Sequence, residues 1–190
     1  MYKRQEDIQG YADSSSNAPE DPRLGCVVGA DDYPDICIGR FSANSAEEVA
    51  IQVNKVIQYE RDTNTSDNNW LSTATGVASN QGSGDDLESD YEHQDVIWQD
   101  KLNQFTYDNY NNVYDPAASK EMLIQAVNNG TGLINYTGHG DLQGWTTSAF
   151  NRDDISELNN GNRIPVIFSV ACNNGLYNAC LLYTSDAADE

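Results

Sequence analysis

The sequence predicts an α/β fold built on a largely parallel sheet with helices on both faces. Three observations carry this expectation. Apolar runs short enough for buried strands alternate with stretches whose apolar residues recur at helical spacing. That order favours parallel pairing, with the connections packed on the faces of the sheet. Two of the apolar runs, Gly132 to Tyr136 and Pro165 to Val170, end in glycine-punctuated turns that each carry one chemically active side chain. At 190 residues the chain has room for one domain with a core, and not for two comfortable ones.

The elements follow in order. The first 23 residues are polar, and the short apolar runs Leu24 to Val28 and Ile36 to Ile38 flank the turn-rich Ala30-Asp31-Asp32-Tyr33-Pro34. Ser45-Ala46-Glu47-Glu48 is a capping-box pattern, and behind it Val49, Val53, Val56 and Ile57 predict an amphipathic helix from Ala46 to Arg61. A polar loop leads to a candidate strand, Trp70 to Ala78, and then to a Gly- and Asp-rich loop from Ser79 to Asp90. Tyr91 to Gln104 is expected to be helical with Val96, Ile97 and Leu102 inward, and the tyrosine-rich Phe105 to Tyr114 to end in a short strand. Asp115-Pro116 suits a helix start, with Met122, Leu123, Ala126 and Val127 as the buried stripe and Gly130 as the stop. Between the last two strands lie a loop with Trp145, a short helix near Asp153 to Asn159, and Gly161. That span has room for one helical crossover, so the two strands can be neighbours.

In parallel sheets reactive groups sit just beyond the C-terminal ends of strands. His139 falls there in Asn135-Tyr136-Thr137-Gly138-His139-Gly140, and Cys172 in Val170-Ala171-Cys172-Asn173-Asn174-Gly175. A histidine between glycines is by itself more often a turn residue, and a cysteine after a Val-rich strand is usually a buried inert thiol. Together they are what a cysteine hydrolase needs, with a thiolate attacking a carbonyl carbon while the imidazole manages the protons. Gly138 and Gly140 permit close backbone approach, and free amides after the histidine and at the cysteine suit an oxyanion hole. Cys26 and Cys37 fit the inert-thiol description, or a disulfide in an oxidising compartment.

The formal charge of −20 argues against a nucleic-acid partner, because a polyanion would be repelled. The acids are scattered, which describes a solvated surface, and calcium is the expected guest of the densest patch. No window of 18 apolar residues exists, so no transmembrane segment is expected. Both ends, residues 1–5 and 180–190, resemble translated transposase-adapter sequence in opposite orientations, which leaves residues 6–179 as a gene fragment open at both ends. Setting aside Lys3, Arg4, Asp186, Asp189 and Glu190 leaves the charge at −19. The cysteines are then Cys26, Cys37 and Cys172, without Cys180.

The run Tyr136 to Gly140, followed by Pro165-Val166-Ile167-Phe168-Ser169-Val170-Ala171-Cys172-Asn173-Asn174-Gly175, resembles the gingipain family of cysteine peptidases (peptidase family C25) within the caspase-like clan. The likeness extends to Pro34-Asp35-Ile36-Cys37-Ile38-Gly39-Arg40-Phe41, to Tyr59-Glu60-Arg61, and to Glu88-Ser89-Asp90 with His93, in order over about Leu24 to Tyr177. The histidine precedes the cysteine, whereas a papain-like enzyme has the reverse order. The resemblance implies a caspase-like three-layer α/β/α sandwich, truncated on its C-terminal side, in a partial catalytic domain. It implies Cys172 as nucleophile, His139 as general base and acid, and an oxyanion hole from the backbone amides of Gly140 and Cys172.

In arginine-specific gingipains a glutamate in the loop after the Ala78-type strand is a candidate orienter of the histidine. Gln81 holds that place here and supplies no negative charge. The resemblance makes Asp90 either the anchor of a P1 Arg or Lys or the partner of the imidazole; a solvated or calcium-binding acid is the plainer alternative. Asp85, Asp86 and Glu88 are the candidate calcium ligands. His93 is a supporting or surface helix residue, and Trp145 a pocket-wall or core residue. The resemblance further implies a secreted or surface endopeptidase of a Bacteroidetes-type bacterium. It would act on polypeptides without a catalytic cofactor, carry structural calcium, and be exported by the type IX route through domains absent here. The rival functions are a sorting transpeptidase of the same family and a catalytically silent calcium-binding surface module. The 190 residues alone are expected to have little activity.

Overall fold

The computed structural model describes residues 7–9, 17–19, 21–31, 33–62, 68–82 and 87–174. Four parallel strands form the central sheet: β3 (Thr73–Ala78), β4 (Asn109–Tyr114), β5 (Leu133–Thr137) and β8 (Val166–Val170), in the order β4-β3-β5-β8. Two small antiparallel pairs lie outside it: β1 (Asp7–Gln9) with β2 (Asn17–Pro19), and β6 (Gly144–Trp145) with β7 (Phe150–Asn151). The helices are α1 (Ala46–Asp62), α2 (Asp90–Ile97) and α3 (Lys120–Asn129).

Strand alternation divides the sheet into two unlike faces. One carries Val77, Val113, Ile134 and Tyr136, which form the core with Leu123 and Val127 of α3. Small residues occupy the other face of β3. A Cβ at Gly76 would lie 1.9 Å from the Tyr110 hydroxyl, so glycine there makes room for the paired hydroxyls of Tyr110 and Tyr114, 2.6 Å apart. Tyr114 donates onward to Asp95 of α2, and Tyr110 stacks on Trp98 in the π-helical turn Trp98–Leu102 that continues α2. Burial is the main cause that raises both phenols above their ordinary range, Tyr110 to about 12.

Helix α1 begins where the capping pattern places it. The Glu48 amide donates to Ser45 Oγ at 3.2 Å, while the Glu48 carboxylate reaches back to the Asn44 amide rather than to Ser45. Helix α3 departs from expectation at its start. Asp115-Pro116 forms a turn, and the helix begins at Lys120 behind Ser119, whose hydroxyl accepts from the Met122 amide. Gly130 ends the helix as expected, at φ +99°, with its α-hydrogens facing Trp70.

Several inward assignments are corrected. Val96 and Met122 are exposed, and the buried α2 residue is Gln94, which donates to Thr137 Oγ1 at 2.8 Å. The amide meets a polar strand end there, so a hydrogen bond takes the place that an apolar contact was expected to fill. Trp70 lies in a 3₁₀ turn, Asn69–Ser72, ahead of β3. The connection from β5 to β8 is the β6–β7 hairpin and a 3₁₀ turn, Arg152–Glu157, in place of a helical crossover. Lys120 ties this connection to α3 through Asp154, at 2.6 Å. Cys37 is exposed and Cys26 partly buried, so neither is the fully buried thiol expected, and no disulfide joins them.

Candidate active site

Three adjacent strands deliver the candidate groups to one end of the sheet. β3, β5 and β8 end in register, with Ala78 opposite Thr137 and Thr137 opposite Val170. His139 and Cys172 each lie two residues beyond the Thr137–Val170 pair, and Ser79 and Gln81 follow Ala78 by one and three residues. The loops remain stitched past the strand ends: Ser79 N donates to Thr137 O at 3.1 Å, and Gly138 N to Val170 O at 3.3 Å.

The histidine loop rests on the core. The Tyr136 ring is fully buried and stacks on Trp145 with centroids 4.5 Å apart. Its hydroxyl donates to His139 O and accepts from Thr147 N. Burial is the chief cause holding this phenol above its usual range. Thr146 N→His139 O and Asp141 N→Gly144 O flank an isolated bridge between Gly140 and Trp145. Those bonds come from the neighbours of Gly140, so its own amide stays outside the ladder. Gly140 also lies against the cysteine loop: a Cβ there would approach Cys172 O, Ala171 Cβ and Asn174 Nδ2 to 2.8 Å each. Both His139 and Cys172 are exposed to solvent.

Gln81 meets the imidazole directly, with Oε1 3.0 Å from His139 Nε2. An amide oxygen only accepts, so Nε2 carries the hydrogen and Nδ1 is the basic nitrogen. Asp90 does not make this contact. Its carboxylate accepts from Ser79 Oγ at 2.5 Å, and its amide donates to Gln81 O at 2.8 Å. Ser79 Oγ also accepts from Gln81 N, so Asp90 secures the loop that presents Gln81. Gly82 completes that loop at φ +89°, where a side chain would be strained and would press on Asp90 Oδ1.

Of the candidate calcium ligands, Asp85 and Asp86 lie outside the described residues. Glu88 Oε2 lies 3.2 Å from His93 Nδ1, and no group of three metal-ligating side chains occurs among the described residues. An apolar cavity of about 500 Å³ lies between α1 and the α3 side of the sheet, lined by residues including Ile51, Leu123, Ile134, Trp145 and Ile167. Neither His139 nor Cys172 borders it. Among the described residues no helix is long and apolar enough to cross a membrane.

The arrangement is that of a parallel α/β domain presenting a histidine and a cysteine from neighbouring strand ends. The family model described as "Peptidase family C25" matches residues 2–189, and the chain belongs to that cysteine peptidase family. Gingipain R2 of Porphyromonas gingivalis (strain ATCC 33277) is 42% identical over 157 residues, which are 82% of this chain and 21% of that protein. Lys-gingipain HG66 of Porphyromonas gingivalis is 27% identical over 158 residues, 77% of this chain and 8% of that protein. The crystal structure of the Arg-specific cysteine proteinase gingipain R superposes with a TM-score of 0.82 at 37% identity, covering 90% of this chain and 40% of the other. The chain thus spans about a fifth of the first relative's length and two fifths of the solved chain. The expected α/β/α sandwich with a mostly parallel sheet is borne out.

Residue signals alone single out His139, Cys172 and Gly140. They do not single out Asn174, Ser169 or Ser79, whose roles rest on contacts between residues far apart in the chain.

Proposed function

We propose that this chain carries the catalytic pair of a secreted cysteine endopeptidase, with Cys172 as nucleophile and His139 as proton carrier. The observation that carries the proposal is the placement of both residues two positions beyond a register-matched strand pair, with Gly140 packed against Cys172 O. In the proposed reaction His139 Nδ1 takes the thiol proton and Cys172 Sγ attacks the scissile carbonyl carbon. The resulting oxyanion is received by the amides of Gly140 and Cys172. Collapse breaks the C–N bond as the imidazolium returns its proton to the leaving amine. Water, deprotonated by the same nitrogen, then hydrolyses the thioester.

Gln81 orients the imidazole without adding charge. Asp90 is the proposed anchor for a basic P1 side chain, since a part-buried carboxylate suits a guanidinium. Arginine is favoured over lysine, because identity is higher to the gingipain R proteins than to Lys-gingipain. No step is routed through calcium.

The test is cleavage of Arg- and Lys-peptidyl amides by the full-length protein with Cys172→Ala or His139→Ala. Each should lose at least about 10³-fold in kcat. Retention of activity in Cys172→Ala overturns the assignment, and acyl transfer to an added amine in preference to water points instead to the transpeptidase. The 190 residues alone should cleave these substrates poorly.

A further inference from the structure

A second network joins the histidine and cysteine loops, and its polarity is fixed at every link. The Trp145 indole only donates, and its Nε1–H lies 2.9 Å from Ser169 Oγ. The Ser169 hydroxyl, accepting there, donates its own hydrogen to Asn174 Oδ1 at 3.0 Å. The Asn174 amide is thereby oriented, and its Nδ2 hydrogens point at Asp141 O, 2.7 Å away, and Gly144 O, 3.0 Å away. Both are backbone carbonyls that only accept. The two carbonyls bracket the loop that follows His139, while Asn174 sits two residues after Cys172 and its amide donates to Cys172 O at 2.9 Å. Asn173, at φ +63°, makes the turn that allows this return.

We infer that Asn174 is a positioning residue that sets the placement of Cys172 relative to His139 by clamping the cysteine loop to two carbonyls of the histidine loop. The inference rests on the proposed Cys172–His139 pair. The required residue has one acceptor toward Ser169 and two donors toward the carbonyls, at this reach. Asparagine supplies that set; aspartate, of the same shape, places an oxygen against both carbonyls.

The experiment compares Asn174→Ala, Asn174→Asp and Ser169→Ala with wild type in the full-length protein. It measures kcat and KM on an Arg-peptidyl amide, and the rate of Cys172 alkylation by iodoacetamide at one fixed pH, followed on the Cys172 peptide by mass spectrometry. Wild type should alkylate faster than His139→Ala, because a placed imidazole takes the thiol proton. Asn174→Ala should lose about 10²-fold in kcat with KM nearly unchanged, and its alkylation should slow to the His139→Ala rate. Asn174→Asp should be at least as damaged, and Ser169→Ala, which keeps both carbonyl contacts, less so.

Wild-type kcat in Asn174→Asp would show that shape alone matters, and would overturn the inference. So would an Asn174→Ala enzyme that keeps the wild-type alkylation rate while merely melting earlier. If wild type alkylates no faster than His139→Ala, the Cys172–His139 pair fails and this inference with it. The wild-type and His139→Ala rates therefore separate that failure from failure of the Asn174 assignment alone.

Discussion

β5 and β8 are neighbours in one parallel sheet, and each carries half of the proposed catalytic pair two residues past its end, yet they are built differently. Ile134 and Tyr136 of β5 are 2% and 0% exposed, while Ile167 and Phe168 of β8 are 50% and 59% exposed. Among the described residues β5 is paired on both sides and β8 on one. The histidine is thus held by the hydrophobic core beneath it. The cysteine is held by hydrogen bonds between loops, and the two halves should fail in different ways.

The largest effect is expected at Tyr136. Replacing it with alanine empties the centre of the core and should cost about 3–5 kcal/mol in urea unfolding of this chain. Tyr136→Phe keeps the ring on Trp145 and removes the hydroxyl that Thr147 N and His139 O share, which should cost about 1–2 kcal/mol. If the two variants are equally stable, the core does not hold the histidine loop and the contrast between the strands collapses.

A middle-sized effect is expected at Asp154, which joins the β5–β8 connection to α3. The hydrogen bond from Lys120 is the largest influence on its carboxyl and lowers it below the usual carboxylate range; burial opposes this, and the Asn151 amide adds to the lowering. A carboxyl depressed in the folded state contributes stability above its unfolded value, near 4, and loses it as pH falls through the folded value. Asp154→Asn should therefore be about 1 kcal/mol less stable than wild type at pH 7, with the difference shrinking as the pH falls below the ordinary carboxylate range. Urea melts at several pH values check this; a difference that persists unchanged in acid would mean the charge is irrelevant.

What the sequence reveals and what it conceals follow the same division. Periodicity locates α1, because Val49, Val53, Val56 and Ile57 recur at helical spacing behind the Ser45 cap. Apolar runs ending in glycine locate β5 and β8 to within a residue, and so bring His139 and Cys172 together. Inward and outward faces were legible only where apolar residues decide them. Gln94 displaces Val96 because a half-buried strand-end hydroxyl, Thr137, accepts a hydrogen bond from its side-chain amide. The start of α3 was misplaced because Pro116 suits a turn as well as a first helical position, and the nearer cap, Ser119, prevailed. Asn174 was illegible for a further reason: its partners are carbonyls some 30 residues earlier, and backbone carbonyls leave no mark in the sequence.

A smaller effect is expected where the histidine meets Gln81. Gln81→Glu places a carboxylate on His139 Nε2 and favours the charged imidazolium. A surface ion pair of this kind should add no more than about 0.5 kcal/mol in urea melts at about pH 5, and the gain should vanish in about 1 M salt. No gain at low salt would mean that the Gln81 contact does not govern the ring.

The smallest effect sharpens the comparison from the other strand. Phe168→Ser removes an aromatic side chain of the kind that would cost several kcal/mol in a core. At 59% exposure in this chain it should cost no more than about 0.5 kcal/mol. The same substitution should lower self-association of this chain in sedimentation experiments, since Val166, Phe168 and Val170 form an exposed apolar row on a strand that, among the described residues, is paired on one side. A large loss of stability would show that β8 is covered in solution. The cysteine would then stand on a core of its own, and the loop clamp at Asn174 would be a refinement of its position rather than the means by which it is held.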